Sequence, residues 1–370
     1  MSDPRRHASI YAPAILGALV VGATAGAYVF FSHPLPTTLV NSTAAPPPAL
    51  LDLGNARLAA GDWPGAEDAF SRAAAADPGD VAAEVGLTRS LTFQYRFPEA
   101  IAHARRAVAI DNHDASAYGV LAEALDWSGD FDGAGAAARR SVDLDPQFAD
   151  GHAFLAEVFA DRYQLGEAQA ELDRALALDS DSVEPLRVRA YLLEKEGRYD
   201  EAADAYTGAI AVAPNYSHLH LSLGNVYRTE HRYDEALDEL RTASNLAPLD
   251  ARPPTAIGLI YMQQGIYDAA IPYFEQASHL DANYATPLGQ LGTAYYLEGD
   301  YKRARDPLTQ AVQLEKSPGP LSAYRHVLGW IDLNEGLLDQ AEAQFDQAIT
   351  LNPDLTGARD GLAAVAAQRH

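Results

Sequence analysis

Cysteine is absent from all 370 residues of the chain. Without a thiol the chain forms no disulfide, offers no thiolate nucleophile, and provides no Cys-based zinc site, iron–sulfur cluster or thiol-linked lipid. The absence fits an oxidising compartment without requiring one. Several large classes of redox and metal chemistry are therefore excluded by composition.

Positive charge is scarce. Lys and Arg together number 27 against 51 Asp and Glu, which gives a formal net charge of −24. Nucleic-acid phosphates are bound by clustered cations, so we expect no nucleic-acid partner. An acidic chain instead favours solubility and the recruitment of basic partners.

Motifs for catalysis and for metal binding are missing as well. The eleven histidines form no H-E-x-x-H pattern, and there is neither a G-x-S-x-G sequence nor a phosphate-binding glycine loop. His218 and His220 lie two residues apart, so on a helix they point in different directions and do not share a metal. We expect no enzyme activity, no cofactor and no bound metal.

One segment stands apart in hydropathy. Residues 8–31 contain no charged side chain, and a helix of that length spans about 36 Å against a hydrocarbon core of about 30 Å. Arg5 and Arg6 precede the segment and the next cation is Arg57. The positive-inside rule then predicts a single-pass signal anchor, with residues 1–7 as a cytoplasmic tail and the body periplasmic or extracellular.

A cleaved signal peptide is the alternative, because Ala23-Thr24-Ala25 resembles a cleavage site. The hydrophobic continuation at residues 28–31 favours the anchor. Residues 32–46 form a Pro-rich linker. Small residues recur every fourth position of the segment and predict transmembrane packing and self-association through this helix: Ala14, Ala18, Gly22 and Gly26.

A period of 34 residues governs the rest of the chain. The twentieth place of each of nine units is alanine, and the eighth is Gly or Ala except at Thr88. Small residues at these places let two antiparallel helices pack closely. A three-residue insertion at 319–321 precedes the last unit. The predicted units are 47–80, 81–114, 115–148, 149–182, 183–216, 217–250, 251–284, 285–318 and 322–355.

Turn residues repeat with the same period. Glycine occupies the fifteenth place of six units, where a helix C-terminus favours a left-handed conformation. These residues are Gly61, Gly129, Gly197, Gly265, Gly299 and Gly336. Each unit is therefore predicted to be a helix, a tight turn and a second helix.

This period and spacing resemble the tetratricopeptide repeat. The resemblance implies an all-α, right-handed superhelical solenoid of nine repeats over residues 47–355, with a concave inner surface lined by the first helix of each unit. Residues 356–370 are predicted to form a capping helix.

Two groups of side chains are predicted to line the inner surface. The first, the acidic stretch, suits a basic or mixed-charge peptide and comprises Glu123, Asp126, Trp127, Asp150, Glu157, Asp161, Glu184, Arg187, Tyr191, Glu194 and Lys195. The second, the apolar row, is expected to face solvent and to bind a protein or extended peptide, unless a tight superhelix covers it. It comprises Leu259, Met262, Tyr296, Leu297, Trp330 and Leu333.

Partner-binding candidates are therefore the apolar row with Trp127, Tyr191, Glu157 and Asp161. We expect a membrane-anchored extracytoplasmic scaffold that assembles a membrane protein complex. The alternatives are a peptide-binding adaptor or co-chaperone, and an accessory subunit of a membrane-bound biosynthesis or export machine. A carboxylate clamp of the kind found in some tetratricopeptide proteins is disfavoured, because Leu221 replaces the lysine expected beside Asn225, Arg228 and Arg252.

Overall fold

Nineteen α-helices and no strand make up residues 47–370, the part of the chain that the computed structural model describes. The predicted tail (1–7), transmembrane helix (8–31) and linker (32–46) lie outside the described residues, as do the packing residues Ala14, Ala18, Gly22 and Gly26. Of the helices within 47–370, none is both long and apolar enough to cross a bilayer.

The helices follow the predicted period, and the predicted all-helical solenoid is confirmed. Their bounds are α1 Pro47–Ala59, α2 Trp63–Ala76, α3 Val81–Phe93, α4 Phe97–Ile110, α5 Ala115–Trp127, α6 Phe131–Leu144, α7 Ala149–Asp161, α8 Leu165–Leu178, α9 Val183–Lys195, α10 Tyr199–Val212, α11 Ser217–Thr229, α12 Tyr233–Leu246, α13 Arg252–Gln263, α14 Tyr267–Leu280, α15 Ala285–Leu297, α16 Tyr301–Leu314, α17 Pro318–Asn334, α18 Leu338–Leu351 and α19 Thr356–Gln368.

Small residues hold the two helices of a pair together. The alanine at the twentieth place is fully buried in every unit. At the eighth place a large side chain from the second helix fills the space, so that a Cβ on Gly258 would lie 2.6 Å from the ring of Phe274. Gly54 meets Phe70 in the same way. The repeated Gly and Ala positions therefore follow from close helix packing.

Each pair is joined by the same turn. The six predicted glycines have φ between 74° and 89°, and the following N–H donates to the carbonyl five residues back, as from Arg198 to Leu193 at 2.9 Å. This is the Schellman arrangement. Tyr95, Tyr163 and His231 adopt the same left-handed conformation, with φ of 60°, 56° and 62°, which the sequence did not predict.

Helix α17 differs from the predicted boundary. It begins at Pro318, four residues before the predicted unit 322–355, so the inserted residues 319–321 lie in its first turn. Proline is compatible with a first helical turn because the N–H groups there have no partner within the helix. After the last helix pair, α19 packs on α18. Gly361 of α19 lies against the ring of Phe345 of α18.

The solenoid curls tightly enough for its first turns to meet its middle. The Trp63 ring, at the start of α2, lies 4.8 Å from the Tyr216 ring, which immediately precedes α11. Beside it, Gly61 abuts the backbone carbonyl of Asn215. Leu58, Phe93 and other residues of α1 to α3 share one hydrophobic cluster with residues of α9 to α11. Side chains of α1 to α3 and of α9 to α11 therefore contact each other across part of the inner surface.

Candidate partner-binding site

Five of the eleven residues of the acidic stretch are buried and the other six are partly exposed, which corrects the expectation of an open acidic groove. Glu123, Asp126, Glu157, Glu184 and Arg187 are all buried. The cause is the tight curl of the solenoid, which brings first helices of non-adjacent units together across the axis. These charged groups therefore lie close to one another inside the protein.

Arg187 is the centre of this buried network. Its guanidinium donates to both carboxylate oxygens of Glu157, at 2.6 and 2.7 Å, and to Glu184 at 2.9 Å. Glu184 also binds Arg89 of α3 at 2.5 Å. Trp127 Nε1 donates to Glu157 at 3.2 Å, and Arg187 lies over the Trp127 ring. Charges buried in this way must be paired to be tolerated.

Asp161 is also paired within the chain. It accepts a hydrogen bond from the hydroxyl of Tyr191 and lies 2.9 Å from Lys195 Nζ. Burial, followed by this hydrogen bond, raises the pKa of Tyr191 far above its usual value. The predicted candidates Glu157, Asp161 and Tyr191 therefore lie together, but their polar groups already have internal partners.

These residues line a cavity of about 510 Å³ on the inner surface, which we call the axial cavity. Its volume falls in the range of about 300–1,000 Å³ usual for ligand sites. It lies beside the C-terminal ends of α3, α5 and α7. Its walls are formed by Tyr95, Phe97, Asp126, Trp127, Ser128, Gly129, Phe131, Glu157, Asp161, Arg187, Tyr191, Tyr206, His218, Ser222 and Arg252.

Two buried groups of the cavity wall lack hydrogen-bond partners. They are Oδ1 of Asp126 and both ring nitrogens of His218, and the two residues are only 4% and 5% exposed. Burial, followed by the charges of Glu157 and Asp161, raises the pKa of Asp126 to about 9. Burial, followed by the charge of Arg187, lowers the pKa of His218 to about 3. Both side chains are therefore uncharged at neutral pH.

Two exposed aromatic side chains stand at the rim. Phe131, in the cavity wall, is 40% exposed and Tyr163 is 72% exposed. Lys195 Nζ lies 5.4 Å from the centre of the Tyr163 ring and 4.9 Å from that of Tyr191, which places Tyr163 beside the cavity wall. The sequence offered one indication of Tyr163, because this residue occupies the turn position that is glycine in six units.

The apolar row is mostly covered. Leu333 is only 5% exposed and packs with Phe345, so the expectation that it faces solvent is wrong. Leu259, Met262 and Tyr296 are half-buried against the neighbouring core, and Trp330 donates to His326 at 2.9 Å and packs on Phe345. Leu297, at 45%, is the exposed member of the row. Adjacent helices cover the rest because the units stack closely.

The residues considered for a carboxylate clamp are otherwise engaged. Arg252 lies on the ring of Tyr95 and donates to Asp250 at 2.8 Å, while Leu221 is buried. Asn225 lies against Arg228. Within residues 47–370 no group of three or more His, Asp or Glu side chains is placed to hold a metal ion.

Comparison with known families agrees with this architecture. Tetratricopeptide repeat models match residues 51–115, 155–217 and 255–319, residues 91–158 and 193–253, and residues 322–355. These ranges cover most of the described residues, and the chain belongs to the tetratricopeptide repeat family. The count of nine units stays a prediction from the 34-residue period.

Two solved structures resemble the chain at low sequence identity. A chain in the crystal structure of the APC/C hetero-tetramer Cut9-Hcn1 is 19% identical, with a TM-score of 0.65, and the match covers 81% of this chain and 58% of that one. This chain thus spans somewhat over half the length of that relative. A tetratricopeptide repeat protein from Parabacteroides merdae is 15% identical, with a TM-score of 0.48, over 68% of this chain and 98% of that one. No curated protein matches this sequence.

Proposed function

We propose that this protein is a scaffold that recruits a partner protein through the axial cavity and its aromatic rim. The observation that carries the proposal is the pair of buried, unpartnered groups on Asp126 and His218 in a cavity wall. An unpaired buried polar group costs about 1–3 kcal/mol. A ligand that supplies the missing partners recovers this cost on binding.

The rim supports the same function. Tyr163 keeps a left-handed backbone at a place where glycine avoids the strain, and it exposes most of its ring. Strained backbone retained at a surface position points to a functional role, and exposed aromatic side chains are preferred anchors at protein interfaces. A peptide-binding adaptor uses the same surface, so the two functions differ in the lifetime of the complex.

A photo-cross-linker at the rim tests the proposal. We expect benzoylphenylalanine in place of Tyr163 to cross-link one discrete partner in cells that make the full-length chain. The matched control places the same residue at Gln276, which is exposed on α14 away from the cavity wall. Identical products from both positions, or none from Tyr163, would contradict a partner site at this rim.

We also propose that residues 8–31 anchor the protein in a membrane and that the solenoid lies outside the cytoplasm. The support is the uncharged stretch with Arg5 and Arg6 before it. The cysteine-free chain accepts a single probe at the exposed Ser180. In cells with a permeable outer layer, we expect Ser180→Cys to react with an impermeant maleimide. Reaction only after the membrane is broken would refute the orientation.

The partner complex is proposed to lie at that membrane. A lasting, stoichiometric partner favours the scaffold, and an enzyme as that partner favours an accessory subunit of a biosynthesis or export machine. A partner that is cross-linked at Tyr163 but never co-purified favours the adaptor. The first two differ only in what the partner does, since family and fold alone do not decide function.

A further inference from the structure

We infer that the axial cavity binds one cationic side chain, a lysine or an arginine of the partner protein, against the carboxyl group of Asp126. This inference rests on the proposed function and specifies the chemistry that the site recognises. It follows from the pairing of charges in the cavity wall, from the ends of the surrounding helices and from the two unpartnered groups.

Most charged groups in the wall of the axial cavity are already paired within the chain. Of the charged groups in the cavity wall, Glu157 is held by Arg187, Asp161 by Lys195, and Arg252 by Asp250. Among the charged wall residues that the structure describes, Asp126 alone takes part in no ion pair. Its Oδ1 atom is buried and has no donor. An incoming cation therefore finds one carboxyl group that makes no ion pair with any residue in 47–370.

Two helix ends contribute to the electrostatic potential in the axial cavity. The axial cavity lies at the C-terminal ends of α5 and α7, where Trp127 and Asp161 are the last helical residues. Helix C-termini carry partial negative charge and favour cations. After burial, the carboxylates of Glu157 and Asp161 raise the pKa of Asp126, and the charge of Arg187 opposes them.

Aromatic side chains and the imidazole of His218 form the rest of the cavity wall. Phe97 and Phe131 supply apolar surface that packs on an alkyl stem, whereas the rings of Trp127, Tyr95 and Tyr191 already carry Arg187, Arg252 and Lys195. The ring nitrogens of His218, which have no partner, offer an acceptor to a second N–H of the entering group. An anionic side chain is repelled by the carboxylates of Glu157 and Asp161, which lie close to Asp126.

Binding is accompanied by the loss of one proton. In the free protein we expect Asp126 to hold its proton, because burial and the carboxylates of Glu157 and Asp161 raise its pKa to about 9. When an ammonium or guanidinium group binds, Asp126 ionises, its proton leaves to solvent and the positive charge of the ligand replaces it. The groups facing Asp126 are Glu157 and Asp161 of α7, Arg187 of α9 and His218 of α11. A nearly whole proton is therefore released at pH 7.

Three short peptides test the inference on the full-length chain. The probes are acetyl-Ala-Arg-Ala-amide, acetyl-Ala-Lys-Ala-amide and the citrulline analogue, which has the shape of arginine without its charge. We label the protein with 5-fluorotryptophan and identify the Trp127 signal with Trp127→Phe. We expect the arginine or the lysine peptide to shift this signal and to bind at least tenfold more tightly than the citrulline peptide.

Asp126→Asn provides the site variant, because an amide of the same size preserves the bond to Asp161. We expect it to lose at least tenfold in affinity for the cationic peptide. Asp238→Asn makes the same substitution at an 80% exposed side chain on α12 and is expected to bind normally. Equal binding of citrulline and arginine, no binding of either cation, or unchanged affinity in Asp126→Asn would overturn the inference.

Proton release gives a readout that needs no variant. Titration calorimetry of the wild-type protein at pH 7, in two buffers of different ionisation enthalpy, should report about one proton released per cationic peptide. No release would contradict ionisation of Asp126. If both readouts fail while a partner is still cross-linked at Tyr163, the proposed function stands and the cationic ligand is wrong.

Discussion

The closure of the solenoid on itself can be tested with one methyl group. Gly61 and Gly197 occupy the same place in two turns and have nearly the same φ, 74° and 75°. A Cβ on Gly197 meets no atom within 4 Å, whereas a Cβ on Gly61 runs into the backbone carbonyl of Asn215. The two Gly→Ala changes therefore share their conformational cost and differ in one contact.

The magnitudes follow from that difference. Alanine in the left-handed region costs about 1–2 kcal/mol, less roughly 0.4–1 kcal/mol because the unfolded chain loses entropy, so Gly197→Ala should cost about 1 kcal/mol. Gly61→Ala adds an overpacking cost of about 1–3 kcal/mol, since a backbone carbonyl cannot turn away as a side chain can. We expect Gly61→Ala to destabilise the protein by at least twice as much.

Thermal unfolding followed by far-UV circular dichroism measures both variants, with tryptophan fluorescence as a local probe. The Trp63 ring lies at the closure against Tyr216, so its emission should shift to the red in Gly61→Ala and stay unchanged in Gly197→Ala. Equal losses of stability with unchanged emission in both would refute the contact between the first turn and Asn215.

Three further predictions concern the site. Tyr163→Gly should leave the thermal midpoint within about 1 °C of wild type, because relief of the left-handed strain offsets the lost ring contact, yet it should lower partner recovery. Arg187→Leu should cost about 3–5 kcal/mol in urea unfolding, because it leaves Glu157 buried without a cation; a loss below 1 kcal/mol would contradict the buried network. Burial, followed by Glu184, raises the pKa of Glu123 to about 8, so its proton stabilises the folded state fully below about pH 4.5 and this contribution is lost as the pH rises through 8. Glu123→Gln should therefore reduce the fall in the urea midpoint between pH 5 and pH 8, and an unchanged fall would contradict the assignment.

The repeat architecture was predictable because it depends on contacts within a unit. Ala66 and its equivalents, Gly258 against Phe274, and the glycine turns such as Gly197 are all set by residues fewer than 34 positions apart. Because these contacts recur from unit to unit, the 34-residue period of the sequence indicates them directly. Helix α17 starts four residues before the predicted unit 322–355, because a proline can lie inside a first helical turn as well as before it.

The proposed partner-binding surface was harder to predict because it depends on how tightly the units coil. A small change in the rotation between successive units decides whether Arg89 reaches Glu184, 95 positions away. The charge pattern named Glu157 and Asp161, which are the paired groups, and it offered no way to single out Asp126, which lacks a partner. The same tight stacking buries Leu333.

The most direct test of the account is the amount of partner recovered with the full-length protein when Asp126 alone is changed. Affinity capture from gently solubilised native membranes, quantified by mass spectrometry, compares wild type with Asp126→Asn and with the exposed control Asp238→Asn. The account predicts that a stoichiometric partner is retained by the control and lost by Asp126→Asn, although both variants unfold at the same temperature. Equal recovery with both variants would contradict partner recognition at the axial cavity.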